Sequence, residues 1–117
     1  MIEELISRVF ATRNAVHLAH WATKSFAQHK TLGHFYDNII DRVDSIVEAH
    51  QGAFGLINEI DPTTVNKNNI AEHIKQEARW IEKNRNEIAG NIEAIGALID
   101  DLTNEYLTTY YKLTNLS

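Results

Sequence analysis

The sequence predicts an all-α protein, an antiparallel four-helix bundle built as one domain over residues 1–117, and three observations carry that expectation. Apolar residues recur at helical spacing of three and four through almost the whole chain. Proline occurs once, at Pro62, inside the one strong break. No stretch alternates polar and apolar residues as a strand would. With 117 residues, 44% of them apolar, the chain has material for one core shared among several helices.

The first helix is expected from about Ile2 to Phe26, with Leu5, Val9, Val16 and Ala19 on one face and Thr12 and Thr23 as its small polar members. A second strip holds Ile6, Phe10 and Trp21, and a third holds Ala11, Ala15, Leu18 and Ala22. An apolar helix with this little wet surface needs neighbours on more than one side. The second helix is expected from about Thr31 past Gln51, its core face formed by Leu32, Phe35, Tyr36, Ile39, Val43, Ile46 and Val47. Gly52, Gly55 and Pro62 end it, and DPTTVNKNN, from Asp61 to Asn69, reads as a loop whose Asn and Thr side chains can cap the next helix.

The third helix is expected from about Ile70 to Ile88, where Ile74, Ile81 and Ile88 recur every seven residues. Gly90 and Asn91 then allow an antiparallel return. The fourth, from about Ile92 to Leu113, puts Ile92, Ile95, Ile99, Leu102, Tyr106 and Leu113 on one seam. Four amphipathic helices with short connections give the bundle.

Composition removes several function classes. The chain has no cysteine, which excludes disulfides and thiolate metal sites and is compatible with a reducing cytoplasm, the expected location. MIEELISRVF carries acids where a secretory signal wants cations, and no apolar run approaches the roughly 20 residues that cross a bilayer. A net charge of −5 weighs against nonspecific attraction to nucleic-acid phosphates.

Histidine is concentrated in the first half. Five of the six histidines fall between His17 and His50, and His17 and His20 lie one helical turn apart. In DNIIDRVDSIVE, the carboxylates Asp37, Asp41, Asp44 and Glu48 occupy a sector about 60° wide, and the apolar face of the same helix lies about 145° away. These acids therefore point away from the chain's own core. A di-iron site inside the bundle would need inward Glu residues and Glu-x-x-His pairs, and no Glu-x-x-His occurs. The stripe is either a solvated face or a face completed by a second copy of the protein. Asp100, Asp101 and Glu105 form another acidic group and read as a solvated helix face.

AHW, followed after a short gap by QHKTLGHFYDNIIDRVDSIVE, resembles the mini-ferritins of the Dps type. The resemblance is ungapped from His29 through Glu48. More weakly, IAEHIKQEARWIEKNRNEIAG is similar to that family's third helix and IEAIGALIDDLTNEYLTTYYKLTNL to its fourth. The smaller, divergent ferritin-like chains, including ones encoded by phages, are resembled equally. The resemblance implies a ferroxidase site at a two-fold subunit interface, with His20 and His29 from one subunit and Asp44 and Glu48 from the other. It departs from the family where the gap between His20 and His29 is short and where Gly33 stands at the place of a further carboxylate. His34 is adjacent but points about 100° away from that place.

The implied cofactor and substrate is iron, as Fe(II) and Fe(III) in a mononuclear or di-iron site, for which imidazole and carboxylate are suitable ligands. The implied partner is the chain itself, as a homodimer and as a building block of a shell-like oligomer that stores ferric mineral. Asp37 and Asp41 are expected as solvated charge or as cation-attracting residues near the site, and Trp21 as its neighbour. The competing reading is a noncatalytic helical assembly or structural protein with a degenerate site, because a fold alone does not fix an activity.

Overall fold

The computed structural model describes residues 1–63 and 69–116. Five helices account for most of them, and no strand occurs among the described residues. They are α1 (Ile2–Ala22), α2 (Phe26–Phe54), α3 (Ile70–Lys83), α4 (Arg85–Ala89) and α5 (Glu93–Asn115). None is long and apolar enough to cross a membrane.

The first helix boundary differs from the expectation. α1 stops at Ala22 and α2 begins at Phe26, so His29 lies inside α2 and not ahead of it. The cause is local: Ser25, in extended backbone, accepts a hydrogen bond from the Gln28 amide through its hydroxyl and caps the new helix. The Gln28 side chain does not reach back to complete a capping box; it donates to the Leu113 carbonyl at 2.9 Å and ties the start of α2 to the end of α5.

The expected third helix is also divided. At Asn84 the side-chain amide and the backbone N–H both bond to the Trp80 carbonyl, closing α3 before α4 starts at Arg85. Ile88 stays in the core although it belongs to α4, so the seven-residue recurrence of Ile74, Ile81 and Ile88 survives the break. Arg85 then lies across α5, bonding Asp100 at 2.7 Å and Glu93 at 2.7 Å. Asp100 is thereby paired, as Glu105 is with Arg42 at 3.4 Å, so these two acids are more than solvated charge.

Three pairs of contacts fix the helix directions. His17 stacks on Tyr36 and His20 on His29, which makes α1 and α2 an antiparallel hairpin. Phe35 meets Tyr106 edge-on and Gln28 reaches Leu113, so α5 runs antiparallel to α2. Arg8 pairs with Glu77 at 2.9 Å and Thr12 bonds His73, which sets α3 antiparallel to α1. α1 and α5 therefore run one way, α2 and α3 the other. The connection from α2 to α3 is not short. Its described part runs forward along α1, with the Asn58 amide donating to Glu3 and Ser7 donating to the Asp61 carbonyl. The expected loop from Asp61 to Asn69 lies partly outside the described residues, at 64–68; its last residue, Asn69, caps α3 by accepting from the Glu72 amide.

The core follows the expected seams. Leu5, Val9 and Val16 of α1 meet Leu32, Phe35, Ile39, Val43 and Ile46 of α2, and Ile95, Ile99, Leu102 and Tyr106 of α5 close it. Within it sits a polar thread: Thr12 bonds His73 Nε2 at 2.9 Å and contacts the hydroxyl of Tyr106. Burial drives the Tyr106 phenol far above its ordinary range, with the Glu77 charge adding to the effect and the Thr12 hydrogen bond opposing it.

Candidate metal centre

His20 ends α1 and His29 opens α2, so the tight 23–25 turn brings them face to face. Their rings stack with centroids 3.7 Å apart. Each imidazole also holds the other's backbone: His20 Nδ1 donates to the His29 carbonyl at 2.6 Å, and His29 Nδ1 donates to the His20 carbonyl at 2.9 Å. A carbonyl only accepts, so both Nδ1 atoms carry the proton. In the neutral rings each Nε2 then keeps its lone pair, the tautomer that a metal-binding histidine needs. The His20 carbonyl belongs to the last turn of α1, so the same bond also caps that helix.

Gly33 permits this arrangement. A Cβ there would lie 2.9 Å from His20 Cε1, so the missing side chain leaves the space that the imidazole fills. The carboxylate that the resemblance places at this position would collide with His20. The pair is thus built differently from the expected pattern, with a histidine ring over a glycine.

Around the pair lies an aromatic and cationic surface. His17 sits between Tyr36, stacked at 4.1 Å, and Trp21 at 4.4 Å, and Arg13 lies over the Tyr36 ring at 5.1 Å. His17 is held below its ordinary pKa by desolvation first and by the Arg13 and His20 charges next, with Asp37 pulling the other way. Trp21 is 67% exposed and Leu18 62% exposed, and Phe10 continues their line along α1. They are the exposed members of the second and third strips of α1, whereas Ile6 and Ala11 of the same strips are buried.

Asp44 and Glu48 are exposed on α2 and point outward, as their helical angles require. They follow His29 by roughly 22 and 28 Å along the helix, at about 1.5 Å per residue. One chain therefore brings His20 and His29 together and leaves Asp44 and Glu48 apart from them. Among the described residues, no group of three or more His, Cys, Asp or Glu side chains could hold a metal ion. The four residues do not come together within one chain. Asp37 and Asp41 are also exposed, but Arg42 turns from them to Glu105 and Lys30 lies over the Phe26 ring at 5.5 Å.

A cavity of about 420 Å³ between α1 and α3 does not touch the histidine pair. Arg8, His73 and Glu77 line it, and Arg8 lies between the Glu77 carboxylate and the face of Trp80, 4.1 Å from the ring centroid. The periodicity of α3 gives no sign of this concave face.

An uncharacterized 14.6 kDa protein of Enterobacteria phage T4, from the mobD-ri intergenic region, is 25% identical over 113 residues, covering 96% of this chain and 87% of the relative. No solved structure matches the chain. The family model described as "Family of unknown function (DUF5856)" matches residues 20–113, from the first histidine of the pair to the end of the α5 core. By that match the chain belongs to the DUF5856 family.

Proposed function

We propose that the protein is a ferritin-like four-helix bundle that binds Fe(II) between two copies of itself and oxidises it with peroxide or oxygen. The observation that carries this reading is the paired tautomer: both Nδ1 atoms of the His20–His29 pair are committed to carbonyls, which leaves two fixed Nε2 lone pairs. The helix directions and the long α2–α3 connection agree with a ferritin-like bundle, which carries one long crossover. Asp44 and Glu48, outward on α2, supply the charge that Fe(II) requires once a second copy faces the histidines. With peroxide the balance is two Fe(II) giving one electron each, the O–O bond breaking, and two protons taken up to form two waters.

A second reading, a noncatalytic helical assembly protein, is favoured by one observation. The His20 ring filling the space at Gly33, with each histidine bonded to the other's backbone, is a complete structural role without metal.

Fe(II) oxidation by peroxide separates the two, compared between the native protein and His20→Ala with Asp44→Ala, both of measured oligomer size. The ferroxidase reading expects a loss of at least about tenfold, the scale on which metal sites respond to damaged surroundings. Equal rates in the two proteins would leave the assembly reading standing.

A further inference from the structure

One end of the bundle is chemically unlike the rest. There α1 and α5 finish and α2 and α3 begin, and the hydrogen bond from Gln28 to the Leu113 carbonyl holds the start of α2 against the end of α5. No Asp or Glu occurs from Leu5 to Tyr36 or from Tyr106 to Ser117, the two stretches that supply α1, α2 and α5 to this end. The nearest carboxylates on α2 and α5, Asp37 and Glu105, stand about 16 Å back along their helices, beyond the ~10 Å over which exposed charges act in moderate salt. Glu72, in the first turn of α3, is the one acid close to it among the described residues. The opposite half carries Glu3, Glu4, Glu48, Glu82, Glu87 and Glu93.

In place of carboxylates this end presents lysine and apolar surface. Lys24 lies in the turn between α1 and α2, Lys30 stands about one turn into α2, and Lys112 is in the last turn of α5; all three are exposed. The same segments contribute Trp21, Phe26, Tyr111 and Leu116, each exposed, Phe26 to 74%. Lys30 Nζ lies 5.5 Å from the Phe26 ring centroid, so cation and ring are shown together.

We infer that this end of the bundle docks on an anionic lipid bilayer, lying in the interface without crossing it. Anionic headgroups attract the lysines, and aromatic and leucine side chains are stable where headgroups meet acyl chains, with the lysine stems laid along apolar surface. One partner thereby uses both components. The lysines and apolar groups are arrayed around an end face about 25 by 20 Å across, not along one helix, which suits a planar partner. A single-stranded nucleic acid would match the lysines and the rings, but it offers no apolar medium for Leu116. The carboxylates of the opposite half then point into solvent, where the surface does not repel them.

Co-sedimentation of the full chain with vesicles tests this. The protein should bind phosphatidylcholine vesicles containing about one-third phosphatidylserine, ignore phosphatidylcholine alone, and be released at ~1 M salt. A lysine near such a surface contributes about fivefold in affinity, so Lys24→Gln, Lys30→Gln and Lys112→Gln together should weaken binding about a hundredfold. Lys83→Gln makes the same charge change at the far end of α3 and should leave binding within about twofold of native. Phe26→Ser with Leu116→Ser should weaken it about tenfold or more. In a Trp80→Phe protein, Trp21 emission should move to the blue when anionic vesicles are added. Absence of binding to the anionic vesicles, equal binding to phosphatidylcholine alone, an equal loss from Lys83→Gln and Lys30→Gln, or tighter binding to a single-stranded oligonucleotide would each overturn the inference. None of these measurements involves iron, so they stand or fall separately from the ferroxidase reading.

Discussion

The imidazole of His20 stands where the side chain of residue 33 would begin, 2.9 Å from a Cβ built on Gly33. Ala is ordinarily better than Gly inside a helix by about 1 kcal/mol. Here that gain should be cancelled or reversed, because a Cβ at Gly33 must push the ring off the His29 carbonyl, and such overpacking costs about 1–3 kcal/mol. Gly52, in the same helix, would place a Cβ in open space. Gly52→Ala should stabilise and Gly33→Ala should not, as read by chemical denaturation, and only Gly33→Ala should shift the His20 ring resonances.

His17 gives the fold a dependence on mild acid. Its folded pKa lies below the ordinary imidazole value, chiefly through desolvation. At pH above that value the group is neutral in both states and has no effect. As the pH falls through about 6.5 the unfolded chain takes up the proton first, so stability falls until the folded pKa is reached and then levels off. His17→Gln should flatten that part of the stability curve.

Asp37 is the one charge that opposes the lowering of the His17 pKa. Asp37→Asn should depress that pKa further, measured by NMR titration.

Thr12 joins α1 to the buried His73 and Tyr106. Thr12→Val keeps the shape and removes the hydroxyl from both. Leaving buried polar atoms short of a partner costs about 1–3 kcal/mol, which should appear as a lower denaturation midpoint with an unchanged slope.

How legible this was in the sequence varied with the kind of interaction. The buried seams of α2 and α5 were readable because periodicity reports burial, and Ile39, Ile46, Ile99 and Leu102 all lie in the core. The break between the first two helices was placed about four residues late, between Phe26 and Thr31, although Ser25 followed three residues later by Gln28 is a helix-start signal; with no Gly or Pro beside Ser25, the apolar pattern ran on to Phe26. The role of Gly33 was invisible, since it depends on a ring arriving from another helix. His20 and His29 were singled out only through the resemblance to the mini-ferritins, and their exchange of hydrogen bonds is a property of the turn. Asp44 and Glu48 could be placed on the outer face by angle alone, and both are exposed there.

The contrast between the two tryptophans has a practical consequence. Trp80 is half-buried beneath the Arg8 guanidinium, at 4.1 Å, whereas Trp21 stands in solvent on the α1 side of the histidine pair. The chain thus carries two intrinsic fluorophores that report on different events. Trp21 should emit at long wavelength, be open to quenching by iodide or acrylamide, and lose that access when a second copy covers it. Trp80 should emit to the blue and respond only when α1 separates from α3. Replacing each in turn with phenylalanine would let association and unfolding be followed separately in one protein without an added label.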